Sequence, residues 1–301
     1  AEGSGRDSRA AGSVAAAGAR LAAHAHASAA PLEAFGNCKT LRNDNSSRFG
    51  KFMRLHFDGQ SGALLRGSVE RYLLEKSRVV TQEVGERSYH AFYQLCAGAP
   101  LELRERLLLH DGVTAEDFDY LTAGETVAVS GIDDADDFDT VDDALRAMHA
   151  SLPDEALVDQ DREGEGLWHC LAAILHLGNV RFQESASGVA GGGGASACLH
   201  DEDADVAAAA ATLLGCEQAA LLEALCTRTI SAGAEVCVLA KSVKEACTSR
   251  DALAKALYER AFDRLIEVVN HVMAETGQSA EGGAVGGRRG GREGGREGGG
   301  G

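Results

Sequence analysis

Between Phe49 and Phe57, Phe49, Met53, Leu55 and Phe57 alternate with Phe52, Arg54 and His56, and this period of two predicts a strand. The run Asp58 to Gly62 supplies a turn, and Val69–Leu74 reads as the returning arm of a hairpin. Tyr89, Phe92, Tyr93 and Cys96 then fall on one face of a helix. A helix of mixed polarity is expected from Asp154. It becomes wholly apolar from Leu167 to Leu177, as a helix buried on all sides does, and Gly178 can end it in the left-handed conformation. After the Gly-rich surface loop 185–198 come two short helices, in 205–216 and 217–230. "EVCVL" is then the far arm of a hairpin that begins near Arg228. Thr248 and Asp251 have capping-box spacing, and Leu253, Leu257, Ala261, Leu265, Val269 and Val272 follow at helical intervals, predicting one long amphipathic helix. The chain shows no internal repeat.

Composition restricts where these elements can pack. Residues 1–30 are mostly Ala, Gly, Ser and His, and 277–301 holds 13 Gly in 25 residues. Neither end can bury enough apolar surface to offset chain entropy, so both are expected to be disordered around a folded part at 31–274. The net charge of −17 is concentrated rather than spread. Between Asp111 and Glu165 there are 18 acidic residues against Arg146 and Arg162, which accounts for −16. Within that segment "GIDDADDFDTVDD" lacks the Gly and Glu positions of an EF-hand loop, and reads as a solvated loop leading into an acidic helix N-terminus.

Eight cysteines without any C-x-x-C spacing argue for free thiols in a reducing compartment. His169, Cys170 and His176 could be read as a metal set, but they lie in an apolar helix, where core packing is the expected role. No run reaches the roughly 18 apolar residues of a membrane span, so direct membrane insertion is not expected. Nor is a nucleic-acid partner expected, since Glu293 and Glu297 offset Arg292 and Arg296 in the Arg-Gly tail.

The candidate chemistry lies in "NDNSSRFGK", Asn43 to Lys51. Short polar side chains compete for backbone hydrogen bonds, which makes this a loop that feeds the strand behind it. Asn43 and Asn45 can donate amide N–H groups to phosphate oxygens, and Ser46 and Ser47 can donate to phosphate or ligate a hard cation. Arg48 can form a bidentate ion pair. Such an inventory suits a nucleoside-triphosphate sensor, because phosphoryl transfer asks mainly for positioning and charge compensation.

At this point "LEAFGNCKTLRNDNSSRFGKF" resembles switch I of the myosin motor domain. "YLLEKSRVV", "GERSYHAFYQLCAGAP", "LAAILHLGNVRF" and "SRDALAKALYERAFDRLIEVVNHV" resemble further motor segments in the family's order, from about Leu32 to Met273. Kinesins share Asn-x-x-Ser-Ser-Arg but continue with Ser-His, whereas Phe49-Gly50-Lys51 follows here. The resemblance implies an α/β fold of the P-loop NTPase type, with this part mainly α-helical and carrying a few strands of the central sheet. It implies switch I and a sheet hairpin in 31–80 and an upper 50-kilodalton-like helical subdomain in 81–274.

Carried over by position, the resemblance places Asn43 and Asn45 against the phosphates of ATP, and Ser46 at the γ-phosphate, where it helps orient the attacking water. It gives Ser47 to Mg2+ and pairs Arg48 with a switch II glutamate. Actin filaments are the implied partner, through the hairpin that holds Arg228, Glu235 and Lys241, and the implied location is the cytoplasmic actin cytoskeleton. Light chains would bind through regions other than these. The 301 residues contain no G-x-x-x-x-G-K-[ST] and no Asp-x-x-Gly-Phe-Glu. The chain is therefore expected to be an internal part of an ATP-driven motor, inactive in isolation; the alternative is a non-catalytic relic or actin-binding module.

Overall fold

The computed structural model describes residues 18–275 apart from 61, 63, 153–163, 186–195 and 233–234. The chain enters on helix α1 (18–27), breaks at Ser28, whose hydroxyl donates to Ala25 O, and continues as α2 (Ala29–Gly36). Helix α1 falls inside the stretch expected to be disordered. Alanine carries the best helix propensity, and Leu21 is buried beside Gly67, with Ala25 packed against the same core. Residues 1–17 and 276–301 lie outside the described residues, as do the start of the helix expected from Asp154, whose apolar end is described, and most of the Gly-rich loop.

Four two-stranded antiparallel sheets occur among the described residues. β1 (Asn37–Cys38) pairs with β2 (Ser46–Ser47), and β3 (Phe49–Phe57) pairs with β4 (Leu64–Leu74). The returning arm starts at Leu64, earlier than Val69, because pairing continues through Arg66 opposite His56 and, across a register shift, to Leu64 opposite Phe57. A 3-10 turn (Lys76–Val79) leads to α3 (His90–Gly98), α4 (Leu101–Arg106), α5 (Asp119–Thr122), α6 (Asp134–Ala150) and α7 (Gly166–Gly178). β5 (Phe182–Glu184) and β6 (Ala197–Leu199) pair, followed by α8 (Ala204–Leu213) and α9 (Gln218–Cys226). Hairpin β7 (Thr227–Ala232) and β8 (Glu235–Ala240) precedes the 33-residue α10 (Val243–Glu275).

Two helix boundaries differ from expectation for identifiable reasons. α10 is capped by Ser242 rather than Thr248: Ser242 N and Oγ donate to Glu245 Oε2 at 2.8 and 2.9 Å, and Glu245 N donates to Ser242 Oγ. Ser242 and Glu245 share the spacing of Thr248 and Asp251, and Ala246 is already buried, so core packing begins one turn earlier. Gly178 keeps right-handed helical backbone, and its role is close approach. A Cβ there would lie 2.6 Å from the Tyr120 ring.

α10 organises the core. Buried Tyr258 donates its hydroxyl to Phe35 O at 2.7 Å, while its ring stacks on Tyr89 at 4.7 Å and Phe92 at 5.3 Å. One side chain thus joins α10, α2 and α3 and leaves no orphaned polar atom. Farther along, Asn270 accepts from Val69 N and donates to Val69 O, filling the place of a neighbouring strand on β4. Trp168 on α7 packs on Phe138 at 4.9 Å and donates to Asp142 Oδ1. Among the described residues no single helix is long and apolar enough to cross a membrane.

Gly124 shows how tightly one loop is seated. A Cβ there would lie 2.0 Å from Glu86 O, a contact with backbone that no side-chain motion relieves. Gly124→Ala is expected to lower unfolding free energy by about 1–3 kcal/mol. Gly59→Ala, where nothing lies within 4 Å, should stay within about 0.5 kcal/mol of the parent. Urea denaturation of both variants checks the contrast.

Candidate functional site

The polar loop between β1 and β2 is held by its own backbone first. Arg48 N donates to Gly36 O at 2.8 Å, Glu75 N donates to Arg48 O at 3.1 Å, and Thr40 N donates to Asn43 O at 2.8 Å. Inside the loop Asn43 Oδ1 accepts from Asn45 N at 2.9 Å, a turn that asparagine forms locally, and Asn43 Nδ2 donates to Asn45 O. Asn43, Asn45 and Ser47 are exposed, and Ser46 is half-buried. Ser47 Oγ donates to Phe49 O at 3.1 Å. The structure therefore gathers Asn43, Asn45, Ser46, Ser47 and Arg48 on one short, tethered loop. Asn45 differs from the others, because its Oδ1 accepts from the buried Asn37 at 2.9 Å. Its amide oxygen is turned toward β1.

Arg48 is paired within the chain. Its guanidinium bonds Glu75 Oε2 and donates to Ser46 Oγ at 3.3 Å, so the carboxylate expected from switch II has a counterpart here in Glu75. Glu75 also accepts from Arg78, and Arg78 reaches Glu86 Oε2 at 2.7 Å. Glu86 Oε1 then accepts from Leu41 N at the entrance of the loop. Burial opposes the charge on Arg78, but hydrogen bonds to Glu86 and Glu75 outweigh it and raise its pKa. Burial likewise opposes ionisation of Glu86, and Arg78 overrides it, holding the carboxyl below its usual range. Beneath the clamp, burial pushes the Cys38 thiol up to about 11 against the pull of Arg78 and Arg48. Asn37, Glu75, Arg78 and Glu86 are the residues that composition did not single out. For Glu75 and Arg78 the signal is charge at the end of an apolar strand, in "LLEKSR"; Asn37 and Glu86 carry no such local signal.

The remaining candidates stand apart from the loop. Arg228 is exposed and 3.5 Å from Glu245, and Lys241 donates to Ala224 O and Leu225 O, where it caps the C-terminus of α9. Glu235 lies at the start of β8. These three share a hairpin but are not brought to the polar loop. Among the described residues no group of three metal-ligating side chains forms, and His176 Nε2 lies 3.3 Å from Leu107 O within the core. The acidic segment opens α6, where Asp133 accepts from Ala135 N and Asp136 N. Asp134 bonds the fully buried Arg87 through both oxygens, at 2.9 and 2.8 Å.

Three outcomes test the site's electrostatics. Arg78→Met, which leaves Glu75 and Glu86 without their shared cation, should cost about 3–5 kcal/mol and speed hydrogen exchange across residues 40–48. Lys39→Met, removing the exposed pair with Asp44, should cost under about 1 kcal/mol. His90 is buried, and burial first and Arg87 second push its pKa down to about 4. Below the unfolded value of 6.5 the unfolded chain binds the extra proton, so this residue's contribution is intact above pH 6.5 and is lost as pH falls toward 4. At most about 3 kcal/mol is involved. Burial raises the Asp134 and Asp137 carboxyls, which act with the opposite sign, so the difference between wild type and His90→Gln across this window is the measurement.

The chain was compared with known proteins. The family model described as myosin head (motor domain) matches residues 11–285. Myosin-3 of Arabidopsis thaliana is 40% identical over 252 residues, covering 82% of this chain and 20% of that protein. Myosin IE heavy chain of Dictyostelium discoideum is 41% identical over 246 residues, covering 80% and 23%. Unconventional myosin IC of Drosophila melanogaster is 43% identical over 239 residues, covering 79% and 21%. The chain thus spans about a fifth of the length of these relatives. A matched family model over most of the residues, together with relatives about 40% identical over about four-fifths of the chain, gives the conclusion that this chain belongs to the myosin head (motor domain) family.

Proposed function

We propose that this chain is the switch I, sheet-hairpin and upper 50-kilodalton-like part of an actin-based motor that couples ATP hydrolysis to force. The observation that carries the reading is the loop, whose hydrogen-bonding groups stand exposed on a backbone tied to Gly36, Arg48 and Glu75. Rigid presentation of donors to an anion is what phosphate sensing needs, since the electrostatic gain comes from groups that do not have to reorganise. The donor set fits ATP with Mg2+. Asn43 and Ser46 would face phosphate oxygens, and the Ser47 hydroxyl, held only by Phe49 O, is a hard-cation ligand in type. Magnesium, when bound, would supply charge compensation for the phosphates. Asn45 contributes through its backbone and by anchoring the turn to Asn37.

Further support comes from the hairpin. Phe52, Phe57, Tyr72 and Leu73 of β3 and β4 are exposed, Tyr72 by 75%, and a two-stranded sheet with so much apolar surface suits a larger sheet. The exposed Ile230, Val238 and Arg228 of β7 and β8 offer the mixed apolar and basic surface that an actin-facing edge would use. Lys241 ties the end of that hairpin to the C-terminus of α9. An active motor of this kind would work in the cytoplasm on actin filaments.

Because the 301 residues hold no P-loop and no switch II motif, the chain by itself is expected not to hydrolyse ATP. In a fusion with those segments from a relative, steady-state phosphate release should appear. Arg48→Ala should then cut it by about a hundredfold or more, the loss of a partly buried ion pair expressed in the transition state. Arg48→Lys should not restore it, since an ammonium lacks the planar fork. Thermal unfolding of each variant separates lost chemistry from lost fold, and cosedimentation of the same fusion with actin tests the partner. Undiminished turnover in a folded Arg48→Ala fusion would remove the loop from the nucleotide site.

A further inference from the structure

Behind the polar loop, on the side where Asn45 meets Asn37, a half-open cleft of about 200 Å³ lies between α2, α3 and α6. Its floor is unusual. His90 is 6% exposed and Gln94 5%, and both ring nitrogens of His90 and Oε1 of Gln94 lack hydrogen-bond partners. A buried polar atom left unpaired costs on the order of 1–3 kcal/mol. The three atoms are themselves scarcely exposed, but both residues line one space, so a polar guest met by a small rotation of these two side chains gains what the described residues alone forgo. The rim carries Glu33 and Asp137, and the walls include Ile132 and Val141. Asp137 also sits among Asp133 and Asp136, whose charges, after burial, raise its pKa. Acceptors therefore dominate. Gln94 offers a carbonyl oxygen, neutral His90 one ring acceptor, and the rim two carboxylates, with apolar sides between them.

We propose that this cleft binds a compact organic cation of the amidinium or guanidinium class, its N–H groups turned to Gln94, His90 and Asp137 and its apolar body to Ile132 and Val141. The space holds about seven waters at their liquid volume, which limits the guest to fragment size. Asn45 lines the same cleft, and its Oδ1 accepts from Asn37, so occupancy of the cleft acts on the loop from behind. This site is separate from the surface that presents Ser47 and goes beyond the nucleotide reading. It makes the loop responsive to a second ligand, with any coupling set by how occupancy shifts the Asn37–Asn45 bond.

Nitrogen-15 NMR of the full chain tests the proposal with benzamidinium chloride as probe. Saturable shifts of the His90 ring nitrogens and the Asn45 side-chain amide are expected, with Kd of about 1 mM for a ligand this small. Neutral benzamide, of the same shape, should bind roughly tenfold or more weakly, and so should benzamidinium to Asp137→Asn. Asp137 is exposed on the rim, so this variant is expected to fold, and its unchanged backbone spectrum verifies that. N-acetylarginine amide distinguishes the source of the group. Equal affinity assigns the cleft to an arginine side chain of a polypeptide, and weaker affinity assigns it to a free small molecule. Absence of saturable shifts at His90, or equal binding of benzamide and benzamidinium, would overturn the inference. The test needs no nucleotide, so its failure and that of the ATPase reading are independent.

Discussion

The guanidinium of Arg78, held between Glu75 and Glu86, is the interaction on which the geometry of the polar loop depends. A loop made mostly of amides, hydroxyls and charges, whose one apolar side chain, Leu41, is exposed, cannot fix itself by burial, so its position must come from hydrogen bonds to something already rigid. Glu75 connects Arg78 to Arg48 at the loop's exit, and Glu86 connects it to Leu41 N at the entrance. Both carboxylates would be costly to bury alone. With a shared cation they become two posts of one frame, and Arg78 itself is anchored from outside, since Gln82 and Ser88 donate to its carbonyl.

That frame rests on the aromatic cluster around α10. Tyr89 stacks on Tyr258 and donates its hydroxyl to Glu75 O at 2.8 Å, so the core reaches the clamp through one side chain. The same helix holds β4 through Asn270 and through the Arg71 pair with Asp263. Buried contacts thus converge on one side of the loop while its other side stays exposed. This asymmetry is what a sensing loop requires: rigidity supplied from behind, and hydrogen-bonding groups left open in front.

Much of this was legible in the chain. The period-two run Phe49–Phe57, the all-apolar α7 and the spaced apolar positions of α10 each depend on local pattern, and each forms the expected type of element. Boundaries were read less well. Two capping boxes of equal spacing stand at Ser242 and Thr248, and only the burial of Ala246 decides between them. Gly178 is compatible with a left-handed cap by sequence, yet the nearness of the Tyr120 ring gives it a different role. Helix α1 was missed because low large-apolar content argues against burial, whereas Leu21 is buried beside Gly67 with Ala25 against the same core.

For the site, the sequence by itself determined the chemical inventory and the family. Asn43, Asn45, Ser46, Ser47 and Arg48 are adjacent in the chain, so their types and spacing need no fold to be read. The partners of those groups were decided only by tertiary structure. Arg48 and Glu75 are 27 residues apart, Arg87 and Asp134 47 apart, and Tyr258 bonds a carbonyl 223 residues away. A charge has many possible partners in a chain with 46 acidic residues. Which one it meets is set by how helices and strands pack, and packing is a property of the assembled core, with no counterpart in local pattern.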